Sequence, residues 1–149
     1  MYYLLLCHSA LRWLVLISIL WVIFRALKGR FFKESFQRSD HILVSSASGL
    51  SQLQLLLGFA LYFWSPIVQG FWANRSFEWS ESLFFGVIHF ALMTVAIVLV
   101  SIGSSLAKRD SEDSKKFKVL FIYYSLALLI ILVAIPWPFS PLAQRPYLP

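Results

Sequence analysis

The first 24 residues, MYYLLLCHSALRWLVLISILWVIF (1–24), decide what kind of protein this chain forms. The run is apolar almost throughout, and apart from two tyrosines and Cys7 its only ionisable side chains are His8 and Arg12. About 20 apolar residues suffice for a helix to cross the hydrocarbon core of a bilayer. Backbone groups inside lipid must also be hydrogen-bonded within the protein, which a helix achieves. The segment therefore predicts a transmembrane helix with two polar side chains to be explained.

The composition extends this prediction to the whole chain. Apolar residues make up 59% of the 149 positions and charged residues only 13%, which is more apolar surface than a soluble domain of this size can bury. We expect an all-α membrane protein with a single domain (1–149). Its four transmembrane helices are predicted at about 3–25, 41–64, 82–104 and 117–136.

The positive charges indicate how the helices are oriented. A net charge of +6 would suggest nucleic acid as a partner of a soluble protein, but here the basic residues lie beside apolar runs. The connections 25–40 and 105–118 each contain five Lys or Arg residues, whereas 65–81 and the tail contain one each. Cytoplasmic loops carry such an excess. We therefore predict an up-down-up-down bundle in a bacterial inner membrane with both termini periplasmic, lipid as a partner and no nucleic acid.

His8, Arg12 and His89 are polar residues inside predicted spans. A charged residue at membrane depth costs about 2.5–3.5 kcal/mol on insertion scales, so it usually faces the bundle interior. Helices 1 and 3 both enter from the outside, and at 1.5 Å per residue both histidines lie about 7–10 Å below the outer boundary. Two imidazoles at one level on two helices of a bundle suit axial ligation of a haem iron.

Other interpretations of these residues remain open. Two histidines near a membrane interface can instead hydrogen-bond to carbonyl groups or water. Arg12 can pair with a haem propionate, with a quinone oxygen, or with Glu78 or Glu81 in the outer loop. The apolar spans contain no Asp or Glu, so a carboxylate proton relay is not expected.

Four segments resemble small bacterial four-helix membrane proteins that are often labelled cytochrome b. These are HSALRW (8–13), QLQLLLGFALYFWSP (52–66), HFALMTVAIVLVSIG (89–103) and IPWPF (135–139). The family pattern has His-Ser-Gly-Leu-Arg-Trp in helix 1, a histidine in His-x-Gln-Leu-Leu-Leu-Gly of helix 2, and His-Pro in helix 3. The resemblance implies a four-helix bundle with haem, and it carries functional positions over to His8, Arg12 and His89.

This chain departs from the family pattern at three positions. Ala10 replaces a glycine, Phe90 replaces the proline after His89, and Gln52 replaces the helix 2 histidine. Since glutamine is a poor haem ligand, the pair left for the iron is His8 and His89.

We expect a small b-type cytochrome-like protein, or a subunit of a respiratory membrane complex, that binds haem b between helices 1 and 3 for electron transfer. His8 and His89 would be the axial ligands, and Arg12 would stabilise a propionate or a semiquinone. Gln52 would hydrogen-bond a quinone or the ring edge. The alternative is a haem-free accessory subunit that packs against larger membrane partners. Either role is more consistent with the sequence than a stand-alone enzyme.

Overall fold

The computed structural model describes residues 1–140 and 143–146, and the described residues form helices and irregular segments without a strand. The helices are α1 (Tyr2–Phe31), α2 (Arg38–Trp64), α3 (Pro66–Asn74), α4 (Glu81–Arg109) and α5 (Asp113–Ala134). All of these except α3 are long and apolar enough to cross a membrane. The all-α prediction with four candidate spans is thus confirmed.

The helices extend beyond the apolar runs that predicted them. Helix α1 continues six residues past position 25, and Lys28 and Arg30 lie in its last turn. Positive side chains there interact favourably with the helix dipole, and lysine and arginine are good helix formers. Hydropathy therefore marks the part of the helix suited to hydrocarbon, while the hydrogen-bonded helix itself is longer.

The connection 65–81 contains the short helix α3, which the sequence analysis did not predict. Pro66 occupies its first turn, where a missing N–H costs nothing because that group has no intrahelical partner. The helix ends at Asn74, because the next residue, Arg75, has a φ of +48° that is incompatible with a right-handed helix. With nine residues it is too short to span a bilayer.

Each of the four long helices packs against two of the others, in the cyclic order α1, α2, α4, α5. The core between them contains the fully buried Tyr124 of α5. Its hydroxyl lies 2.8 Å from Ser104 Oγ on α4 and 3.4 Å from the Val44 carbonyl oxygen on α2. A buried hydroxyl needs such partners, and these two connect three helices.

The outward surface of the bundle is strongly apolar. On α1 the side chains that are more than half exposed include Leu14, Ile17, Leu20, Trp21 and Phe24. A continuous apolar surface of this kind is unusual on a soluble monomer. It supports the conclusion from length and hydropathy that this is a multi-pass membrane protein.

Candidate cofactor site

A cavity of about 500 Å³ lies between α1, α2, α4 and the end of α5. Its volume falls within the range of about 300–1,000 Å³ that small-molecule and cofactor sites occupy. Most of the lining is aliphatic or aromatic, including Leu55, Phe59, Met93 and Ile97. His8, Arg12, Gln54 and His89 line it as well. An apolar pocket with a few polar groups is the usual form of a binding site.

His89 is held in one orientation by the end of α5. Its Nδ1 lies 2.8 Å from the carbonyl oxygen of Ala134. Because a carbonyl oxygen can only accept, Nδ1 carries the hydrogen of the neutral ring and Nε2 carries the lone pair. Since the ring also lines the cavity, Nε2 is the nitrogen left to bind a ligand.

The sequence IPWP (135–138) explains why the Ala134 carbonyl is free to accept this bond. In a continuing helix it would accept from the N–H of residue 138, which is a proline and has none. The same holds for Leu132, whose helical partner would be Pro136. The Leu132 carbonyl accepts instead from Trp137 Nε1 at 2.8 Å. Side chains thus satisfy two carbonyls that the prolines leave open.

His89 immediately follows a π-helical turn, Phe84–Ile88, near the start of α4. Its own N–H donates to the Phe84 carbonyl, five residues earlier, and closes that turn. The imidazole packs against the rings of Phe84 and Phe85, with both centroid separations 5.7 Å. Single π turns in α-helices occur frequently at functional sites.

His8 is placed against α2. Its backbone carbonyl accepts from Gln54 Nε2 at 2.9 Å, and its ring packs against Gly58, where a Cβ would lie 3.4 Å from His8 Cε1. His8 Nδ1 and Gln54 Oε1 are buried and have no hydrogen-bond partner within the described residues. Buried polar groups are normally satisfied, so these two atoms mark a place where a ligand or a water would bind.

The two arginines that line the cavity lie in different parts of the chain. Arg12, one helical turn from His8 on α1, has its guanidinium 5.4 Å from the centroid of the Trp13 ring. Arg145 belongs to the C-terminal tail, where it forms an ion pair with Glu81 and lies over the Phe85 ring.

The structure brings His8, Arg12 and His89 together but places Gln52 elsewhere. Gln52 is exposed, is not among the residues that line the cavity, and donates to Ser101 Oγ at 3.3 Å. Gln54 takes its place in the lining, since residues two apart on a helix lie on different faces. The signal for Gln54 was its i, i+4 spacing to Gly58, which puts both on one face.

The donor set of the site consists of imidazoles rather than a larger cluster. Across residues 1–140 and 143–146, no group of three or more His, Cys, Asp or Glu side chains could hold a metal ion. Two imidazoles from two helices are instead the arrangement that can bind a metal ion already held by a macrocycle. Comparison of the chain with protein-family models, curated proteins and solved structures gives no match.

Proposed function

We propose that the cavity binds haem b and that the protein is a small electron-transfer cytochrome or a subunit of a respiratory membrane complex. The observation that carries the proposal is that His8 and His89 line one apolar cavity from two different helices. The hydrogen bond that fixes the Nδ1–H form of His89 also supports it, because ligating histidines characteristically donate their second N–H to a carbonyl or carboxylate.

The residues present fit a haem in their chemistry. His8 and His89 would hold the iron, and Phe59, Phe90 and Met93 would provide the apolar wall that excludes water. Arg12 and Arg145 would bind acidic groups at the ligand's edge. A bound haem supplies a one-electron couple, whose potential would depend on the two histidines and on the burial of the site.

The proposed orientation follows from the charge distribution. The basic residues of 25–40 and 105–118 would face the cytoplasm, so α1 and α4 would begin at the periplasmic side and both termini would lie there. The connections 32–37 and 110–112 are short, which favours antiparallel neighbours for these two helix pairs and is consistent with an up-down-up-down bundle. The cavity, which includes Met1 and Arg145, would then open near the periplasmic surface of a bacterial inner membrane.

The proposal is tested by titrating the purified full-length protein in detergent with hemin and recording absorption spectra before and after reduction. We expect a Soret band and sharp reduced α and β bands in the wild type. His8→Ala and His89→Ala should each abolish or alter these bands because each removes one imidazole that would hold the iron. The remaining histidine, His41, is exposed at the end of α2 away from the cavity. His41→Ala is therefore the matched control.

Two results would overturn the haem assignment. The first is a wild-type protein that leaves the spectrum of hemin in detergent unchanged, and the second is a pair of His8 and His89 variants with the same spectra as the wild type. The first result would favour a haem-free accessory subunit in which the same polar groups stabilise helix contacts.

A further inference from the structure

The π-helical turn before His89 is held from outside its own helix. A π turn has i to i+5 hydrogen bonds and is rare, so it persists where the surroundings stabilise it. Here the phenol oxygen of Tyr62, on α2, lies 2.9 Å from the carbonyl oxygen of Gly86 within the turn. A side chain from another helix is therefore hydrogen-bonded to the π-helical turn of α4.

The direction of this hydrogen bond is set by a second one. Trp72 Nε1, on α3, lies 2.9 Å from the same Tyr62 hydroxyl. An indole N–H can only donate, so the hydroxyl accepts from Trp72 and gives its own hydrogen to Gly86. Two successive hydrogen bonds, from Trp72 to Tyr62 and from Tyr62 to Gly86, thus connect α3, α2 and α4, each with a defined donor.

Packing at Gly86 holds the turn from the α3 side as well. A Cβ on Gly86 would lie 2.7 Å from Phe71 Cδ1, and Phe71 is buried. The Phe71 ring of α3 therefore packs directly against the backbone of the turn, which is possible only because residue 86 has no side chain.

Tyr62 also contacts the chain on the other side of His89. Its ring centroid is 4.4 Å from that of Phe90, and both rings line the cavity. Tyr62 thus contacts Gly86, three residues before His89, and Phe90, one residue after it. A shift of the Tyr62 side chain would therefore affect the backbone on both sides of His89, and with it the position of the imidazole.

We propose that Tyr62 is a positioning residue for His89, acting through the π-helical turn, an inference that rests on the proposed role of His89 as a ligand. Loss of the Tyr62 hydroxyl leaves the cavity lining in place but removes the bond to Gly86. The turn would then relax, and the His89 ring would lose its fixed bond to Ala134.

The test uses nitrogen NMR spectra of the imidazoles in the ligand-free, full-length protein in detergent at mildly alkaline pH. His89 signals are assigned by their loss in His89→Gln. We expect the wild type to show only the Nδ1–H form of His89 and Tyr62→Phe to lose this single-form pattern. Tyr3→Phe is the matched control, because Tyr3 is 79% exposed at the start of α1 and should leave the pattern unchanged.

A second variant keeps the proposal testable if Tyr62→Phe fails to fold. Trp72→Phe removes the donor that directs the Tyr62 hydroxyl, and it should shift the His89 signals in the same direction by a smaller amount. The inference is overturned if the folded variants keep the wild-type His89 pattern, or if the wild type itself shows both ring forms. Because these spectra need no haem, failure of hemin binding would end the proposed function without deciding the role of Tyr62.

Discussion

His89 Nδ1 and the Ala134 carbonyl oxygen, 45 positions apart in the sequence, lie 2.8 Å apart across the contact between α4 and α5. In His8, the other imidazole of the cavity, Nδ1 is buried and has no hydrogen-bond partner within the described residues. His89 thus contributes to the fold through a hydrogen bond, whereas His8 has a buried ring nitrogen that is not hydrogen-bonded within the described residues. This difference gives opposite expectations for the two residues.

Replacing each histidine by leucine in the ligand-free protein should change the free energy of unfolding by different amounts. His89→Leu leaves the Ala134 carbonyl unsatisfied, and we expect the free energy of unfolding to fall by about 1–3 kcal/mol. His8→Leu removes an unsatisfied buried atom and places an apolar side chain against the apolar lining of the cavity, so we expect little change or a small gain in stability. Denaturant unfolding in mixed micelles, followed by tryptophan fluorescence, measures both. Equal losses in the two variants would contradict this interpretation of the hydrogen bonds.

The cavity can also be filled without replacing either of the two histidines proposed to bind the iron. Gly58 lines it, so the side chain of Gly58→Leu should occupy the space beside His8 and prevent hemin uptake. Leucine is also a better helix former than glycine by about 0.5–1 kcal/mol, so the bundle should remain folded. The measurement is the Soret absorbance after hemin titration.

Gly49→Leu is the control for this substitution because it makes the same change on the same helix. A Cβ at Gly49 meets nothing within 4 Å, and the residue is exposed. This variant should take up hemin as the wild type does. If Gly58→Leu folds and binds hemin with unchanged affinity, the ligand does not occupy this cavity.

The number and type of the long helices could be predicted from the sequence because hydropathy and helix length act locally along the chain. The four spans follow from runs of apolar residues, and the described structure confirms four helices of that kind. Helix α3 was not predicted because its nine residues are fewer than the apolar run that marks a span, and its start at Pro66 is a local signal that hydropathy does not detect.

The candidate site was predicted only in part because its geometry depends on contacts between helices. His8, Arg12 and His89 are recognisable as polar residues within apolar runs. The roles of Gln54 and Tyr62 depend on what lies opposite each of them, a carbonyl on α1 and a π turn on α4. The prediction for Gln52 came from a resemblance in sequence, and the rotation of α2 places that side chain on an exposed surface.

The contact between Gly29 of α1 and Phe117 of α5 should tolerate no additional atom. A Cβ on Gly29 would lie 2.7 Å from Phe117 Cε1. Phe117 is fully buried and cannot easily move away, because the Arg25 guanidinium lies 4.9 Å from its centroid and the Phe36 ring 5.2 Å. We expect Gly29→Ala to lower the free energy of unfolding by about 1–3 kcal/mol through overpacking. Gly49→Ala, in open space, should instead gain up to about 1 kcal/mol from helix propensity. Denaturant unfolding of the two variants in the same micelles measures the difference, and a stabilised Gly29→Ala variant would show that α1 and α5 are farther apart than this contact requires.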